Sequence, residues 1–395
     1  MDFFYRALSS AAGVPEVRPG MRVSLRVNLL LAHDGTAGKL IEAWEKGGRR
    51  KPAEGRKFIL TLDHQFPAPS AGARTLHKKM EGFAAREGAR IFRHGEGVLH
   101  QVVAEYERPW PGCIVAGADG HVSTSGAFGA IAFSLKPEEM VPVLSSGSLD
   151  LTVPEVLRVR VKGELSPEAS PHDLSLTLTG LIGNGLARGK AVLITGEGVW
   201  GLSEDGRMAA CNRIGETGAL TGLIVPEGEP AGDRAVEILV DAREIRPVVA
   251  CPPEPNRIRP LSELAGLAVT QVVVGGCTGG RLEDMAALVR AMKGRKVHPD
   301  TTLLVTPASA RVADAMETEG LTHILRLAGA SLNPPGCGPC PGLHLGILAP
   351  GDRAVATCIR NVPGRMGAPE AEVYLASPYT AGLAAVAGVI AADGR

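Results

Sequence analysis

TQVVVGGCTGGRLEDM, residues 270–285, contains the most informative transition in the chain. Its first half, Thr270–Gly275, is a β-branched run closed by glycine and reads as a buried strand. Beyond it Leu282, Met285, Leu288, Val289 and Met292 recur at helical spacing. A strand therefore passes into a helix across GGCTGG, and Cys277 falls in the turn, where open α/β sheets usually bind ligands. Thr302–Thr306 (TLLVT) is a second strand, followed by a helix through Val312–Glu319 and an apolar stretch at Ile324–Leu327. Arg353–Thr357 (RAVAT) is a third strand. Strands alternating with helices predict βαβ units on a largely parallel sheet, so the fold class is α/β. From about Glu244 onward the pattern predicts one doubly wound domain.

Moving outward, the chain has 395 residues, enough for two or three cores. A Ser/Glu/Gly-rich segment around Lys162–His172 divides the first half. Boundaries are expected near 155 and 245, giving domains 1–155, 156–245 and 246–395. Lys+Arg and Asp+Glu both number 42, so no basic field exists to attract nucleic acid or an anionic membrane. A small anion could still be held by a few local arginines. The longest apolar stretch, near Thr380–Ala392, falls short of the roughly 20 residues needed to span a bilayer. The start, MDFFYRALSSAAG, lacks a basic residue run leading into an apolar one, so no signal peptide is expected. Seven cysteines, widely spaced, fit ligands or core residues in a reducing cytoplasm better than a disulfide framework.

Cys337 and Cys340 lie in a proline- and glycine-rich loop, NPPGCGPCPG (333–342). Two intervening residues bring two sulfurs to one side of a turn. Alone, such a pair fits a redox dithiol, half a zinc site or half an iron–sulfur site. A redox pair normally opens a helix after an early strand, and this one lies late between prolines. A structural zinc site wants four ligands, commonly a second Cys-x-x-Cys, and none is present. Three thiolates with no fourth suit a cluster that leaves one iron open as a Lewis acid. Cys113, Cys211 and Cys251 read as core residues. Cys358 ends a strand two residues before Arg360 and is expected near the same site.

Six or more motifs in one order then carry a resemblance. They are LLLAHDGTAG (29–38), LDHQFPAPS (62–70), GEGVLHQVV (95–103), GADGHVSTSGAFGAIAF (117–133), GRMAACNRIGETGA (206–219), GGCTGGRLEDM, NPPGCGPCPG and RNVPGRMGAPEAEVYLASP (360–378). Together they resemble the aconitase superfamily over essentially the whole chain, and within it the large subunits of 3-isopropylmalate dehydratase and homoaconitase. The resemblance implies the three-domain α/β core of that family without its swivelling fourth domain. It implies a [4Fe–4S] cluster on Cys277, Cys337 and Cys340 and a hydro-lyase acting on a hydroxy di- or tricarboxylate. Asp63 with His64 and Asp119 with His121 resemble the family's Asp/His dyads, in which a carboxylate fixes an imidazole and raises its basicity. His100 and Glu216 resemble further catalytic residues, and Asn212 a polar substrate-site residue. Arg360 and Arg365 resemble the arginines whose planar forks grip substrate carboxylates. His33, Asp34 and Thr36 occupy a loop expected to line substrate. His77, His94, His172, His298 and His323 fall outside the motifs and are expected in core or surface positions. The family's catalytic base is a serine on the swivelling domain, which in the isopropylmalate enzymes is a separate small subunit, so the resemblance also implies that partner.

Several positions depart from the family pattern. Gly276, Gly279, Gly120, Val122, Cys358 and Ile359 stand where polar side chains are usual. Each lost contact costs on the order of 1–3 kcal/mol if its partner stays buried. The ligands and dyads are retained, so the expected outcome is the same chemistry on a shifted substrate. The competing expectation is an aconitase-like protein that has lost hydration and uses its cluster for binding, sensing or another non-redox reaction.

Overall fold

A computed structural model describes residues 2–47, 51–93, 95–231 and 236–392. His94 lies outside them. The first sheet is parallel and five-stranded, built from Leu29–His33, Lys57–Thr61, Arg90–Phe92, Ile114–Gly117 and Ile131–Ser134. Leu29–His33 is buried throughout, as a central parallel strand must be when both faces are covered. Alternate side chains serve alternate cores: Leu30 and Ala32 face one apolar cluster, Leu29 and Leu31 the other. A two-stranded antiparallel ribbon joins Arg22–Arg26 to Ser148–Thr152. A second parallel sheet of four strands falls between Val156 and Asp241.

The third sheet has seven strands, from Val248 to Leu375. Its centre is parallel: Gln271–Gly275 runs between Thr302–Thr306 and Arg353–Ala356. Helices Leu282–Met292 and Ala310–Thr318 form here, close to the ranges the periodicity predicts, and the apolar stretch at Ile324–Leu327 lies in a further helix, Leu321–Ala328. They pack with helix Pro378–Ala387 on one face, against Val272, Val274, Leu303 and Val305.

The opposite face differs from the doubly wound expectation. There Val273, Leu304, Ala354, Ala356 and Leu375 meet Leu176 of helix Pro171–Ile182, together with Leu348 and Met366 from the late loops. The cover comes from a helix about a hundred residues upstream, which periodicity within the block cannot reveal. Among the described residues no helix is long and apolar enough to cross a membrane.

Candidate active site

The C-terminal ends of the first and third sheets face one another, and the loops leaving them build one cavity. On the third sheet, Gln271–Gly275 ends in two glycines that no other residue could replace without strain. Gly275 (φ 155°) approaches so closely that a Cβ would lie 2.4 Å from the Thr306 carbonyl oxygen, and Gly276 turns the chain at φ 72°. Cys277 follows. The Cys337–Cys340 loop is tied to the first sheet, since Cys337 N–H donates to the Asp63 carbonyl at 3.0 Å. Cys277, Cys337, Cys340, Cys358, Ile359 and Arg365 line one side of the cavity.

Polar groups surround these sulfurs. The Asn212 amide donates to Cys277 Sγ at 3.5 Å and to Thr124 Oγ1 at 2.8 Å, while its carbonyl accepts from Thr278 Oγ1 at 2.9 Å. Arg281, fully buried, donates to the Cys277 carbonyl at 2.6 Å and the Thr278 carbonyl at 3.1 Å. Arg365 donates from Nη2 to Cys340 Sγ at 3.3 Å. Burial, then the neighbouring Cys340, pushes the Cys277 thiol up to about 11, and burial drives Cys337 well above its usual range. Thiols so hard to ionise become thiolates when a cation enters among them.

The facing wall is made of imidazoles and carboxylates. Leu29–His33, Lys57–Thr61 and Ile114–Gly117 are adjacent parallel strands, so the loops His33–Asp34, Asp63–His64 and Asp119–His121 leave the same sheet edge side by side. His64 Nδ1 is 2.7 Å from Asp63 Oδ1, and Asp63 Oδ2 accepts from Leu99 N–H at 2.7 Å. His100 Nε2 is 2.7 Å from Asp119 Oδ1, and His33 Nε2 is 3.0 Å from Asp119 Oδ2. Gly35 N–H donates to His33 Nδ1 at 3.0 Å, which makes that nitrogen an acceptor and leaves the ring proton on Nε2 for Asp119. The His33 ring also stacks on His64, with centroids 3.8 Å apart and planes 9° from parallel. His33 thus links the two dyads.

Electrostatics on this wall follow the pairing. Burial opposes the His64 charge, but Asp63, then Asp34 and Asp119, outweigh it and lift the imidazole to about 9. Burial likewise opposes the Asp119 charge, yet His100, His121 and His33 hold it well below the usual carboxylate range. Glu216 falls to about 2 against its own burial, held by His121 and Arg360. Arg360 Nε donates to Glu216 at 2.8 Å, and His121 Nε2 lies 3.3 Å from Glu216 Oε1, off the line of a hydrogen bond.

The residues anticipated from sequence therefore assemble unevenly. Asp63, His64, His100, Asp119, His121 and the three cysteines share one cavity with Arg365, while Asn212 stands behind Cys277 and Glu216 behind His121. Two differ in their partners. Arg365 faces Cys340 and not an open carboxylate site, and the Arg360 fork is engaged by Glu216. Gly279 does not open the cavity, because a Cβ there would sit 2.3 Å from Thr357 Cβ. Gly120 gives room to Arg360, whose Nη2 would be 2.8 Å from a Cβ.

Other residues carry more than the sequence suggested. Asp34, expected along the substrate, is instead buried as an anchor. It accepts backbone N–H bonds from Asp63, His64 and Gln65 and lies 3.1 Å from His77 Nε2. Arg213, fully buried, donates to the Ile359 and Thr357 carbonyls at 3.1 and 3.4 Å. His172 pairs with Asp284 at 2.7 Å in a separate buried contact. Cys113, Cys211 and Cys251 are buried in apolar cores.

Among the described residues three sets of side chains could hold a metal: two His/Asp groups, one of them His100, Asp119 and His121, and the thiol wall. In the group His33, Asp34, Asp63 and His64, potential ligand atoms lie within 4.8 Å of one another, but their hydrogen bonds to one another and to the backbone already engage them. The thiol wall fits a soft, thiophilic centre. Around it His100 Nδ1, His121 Nε2 and Arg365 Nε are buried with no hydrogen-bond partner among the described residues, leaving polar atoms for an occupant.

The aconitase family (aconitate hydratase) matches residues 12–231 and 257–388. The chain belongs to the aconitase family. Family relatives include 3-isopropylmalate dehydratase large subunit 1 of Methanopyrus kandleri, 37% identical over 98% of this chain and 97% of that one. The probable methanogen homoaconitase large subunit of Methanothermobacter thermautotrophicus is 33% identical, covering 99% and 97%. Among solved structures, Thermococcus kodakaraensis aconitase X shares the fold, with TM-score 0.53 and 13% identity over 99% of this chain and 92% of that one.

Proposed function

We propose that this chain is the cluster-bearing large subunit of a hydro-lyase that removes and re-adds water on a hydroxy di- or tricarboxylate. Membership of the aconitase family and kinship with 3-isopropylmalate dehydratase and homoaconitase large subunits support the reaction class. The observation that carries the reading is the single cavity shared by Cys277, Cys337 and Cys340 with two Asp/His pairs. Those cysteines would hold a [4Fe–4S] cluster, which when bound supplies a Lewis-acidic iron.

The chain's own groups would do the rest. His64, held protonated by Asp63, is the proton donor facing the thiol wall, with Cys337 Sγ 3.6 Å from its Nδ1. Asp119 fixes His100 and stands 3.6 Å from His121 Nδ1, setting both rings at the cavity wall for proton transfer. Arg360 would release Glu216 to grip an incoming carboxylate, a site for bidentate recognition. Relatives named as large subunits support a separate small subunit that completes the site with the base. The three larger sheets fall within 1–155, 156–245 and 246–395, which supports reading these as three domains, with apolar cores shared across the bounds by Leu193, Leu223 and Leu176.

Anaerobic reconstitution with ferrous iron and sulfide tests the reading. The expected result is a cluster absorbance band, and dehydration of a hydroxy dicarboxylate to its unsaturated acid only after a small subunit is added. Failure to bind iron, or full turnover by the chain alone, would sink it.

A further inference from the structure

Cys277, Cys337 and Cys340 account for three of the four sulfurs on the cavity wall; the fourth belongs to Cys358. Its place follows from sheet register. Gln271–Gly275 and Arg353–Ala356 are neighbouring parallel strands with Val273 opposite Ala356, so Cys358 continues its strand to the level of Gly275, two residues short of Cys277. Neighbouring strands lie about 4.8 Å apart, which delivers both cysteines to the same sheet edge. Thr357 locks this register, donating its N–H to the Val273 carbonyl at 2.9 Å and accepting Gly275 N–H at 3.0 Å on Oγ1. Cys358 is 2% exposed and lines the cavity beside Cys277, Cys337 and Cys340.

Charge points the same way. Two guanidinium groups, Arg213 and Arg365, stand beside these sulfurs, and among the described residues neither has a carboxylate within salt-bridge distance. Arg213 is fully buried and grips the carbonyls on both sides of Cys358. A buried cation without a carboxylate beside it is costly, so fully buried Arg213 and half-buried Arg365 are placed to face anionic sulfur. A cluster closed by four thiolates carries one more negative charge than one held by three, and four cysteines are the ordinary complement of a [4Fe–4S] centre. Beside Cys358, Ile359 is 1% exposed and brings no polar side-chain atom to the wall that could serve instead.

We infer that Cys358 supplies a fourth thiolate to the cluster site while no substrate is bound. This rests on the proposed function and deepens it. The iron kept open in a three-cysteine site is here capped by the protein, and turnover requires the Cys358 side chain to withdraw as a substrate carboxylate enters.

The test uses the full chain, reconstituted anaerobically as wild type, Cys358→Ser and Cys358→Ala, with circular dichroism to confirm folding. Each is exposed to limited ferricyanide, and bound iron and the electron paramagnetic resonance spectrum are recorded. Wild type is expected to keep its iron and remain silent, while both variants lose one iron per cluster and develop a three-iron signal. Mössbauer spectra of the wild type give an independent reading, with all irons expected in one sulfur-ligated class. A wild-type cluster that sheds one iron as readily as the variants, or shows one distinct iron site, overturns the fourth-ligand role and leaves the hydro-lyase reading standing. A wild type that assembles no cluster overturns both.

Discussion

The two walls of the cavity solve opposite electrostatic problems with the same means. The imidazole wall buries carboxylates beside histidines and arginine, and their ionisation is favoured: Asp119 lies well below its usual range and Glu216 near 2. The thiol wall buries sulfurs, and most are hard to ionise: Cys277 is pushed to about 11. Behind that wall a carboxylate behaves the same way. Asp205 has Arg281 nearby, but burial and the neighbouring Asp284 and Glu283 dominate, raising it to about 6. Burial acts on every group, and the partner supplied decides the sign. One wall carries its charges ready-made; the other would acquire them with the proposed cluster.

The sharpest break in this contrast is loss of a sulfur. Replacing Cys277, Cys337 or Cys340 by serine should abolish the cluster band after reconstitution, while circular dichroism stays native. Retention of full iron by any of the three would remove that residue from the ligand set. On the other wall, His121→Gln should leave the cluster spectrum unchanged and lower kcat of the two-subunit enzyme by about 10²–10⁴-fold, the usual worth of a positioned acid or base. An unchanged kcat would confine His121 to packing.

Asp34→Ala should act on stability before catalysis. It strands three backbone N–H groups and His77, and charge-assisted bonds of this kind give an expected loss of about 3 kcal/mol in urea unfolding. The smallest effect is Asp205→Asn. A carboxyl raised in the folded state binds its proton more tightly there, so its contribution to stability is greatest below about pH 4. That contribution declines as pH rises through about 6. The asparagine variant should therefore be more stable than wild type at pH 7.5 by roughly 1–2 kcal/mol and equal to it near pH 4. Glu216 has the reverse sign: lowered to about 2, its stabilisation is present above about pH 4 and lost as pH falls towards 2. A Glu216→Gln variant should accordingly lose its deficit in acid.

Much of this was legible in the chain itself. Strands and helices around Thr270–Met292 and Thr302–Leu327 show in local periodicity, because alternation and the helical repeat are properties of neighbouring residues. The cavity members Asp63, His64, His100, Asp119 and His121 and the three cysteines were recognisable because motifs surround them. His33 was expected only to line substrate, and Arg213, next to Asn212, was not singled out. Their parts depend on partners at long range: His33 on Asp119 and His64, Arg213 on the carbonyls of Thr357 and Ile359.

The amino-acid sequence by itself determined the α/β class, the order of the motifs and the three cysteines, Cys277, Cys337 and Cys340, that meet in the cavity, because these rest on residue type and short spacing. Only the tertiary structure decided which groups meet. It turned Arg365 onto Cys340, paired Arg360 with Glu216, covered the third sheet with Leu176, and set Cys358 beside Cys340. Those contacts come from strand register and the facing of two sheet edges. Both are long-range outcomes of burying apolar surface, and neither is written in any local stretch of the chain.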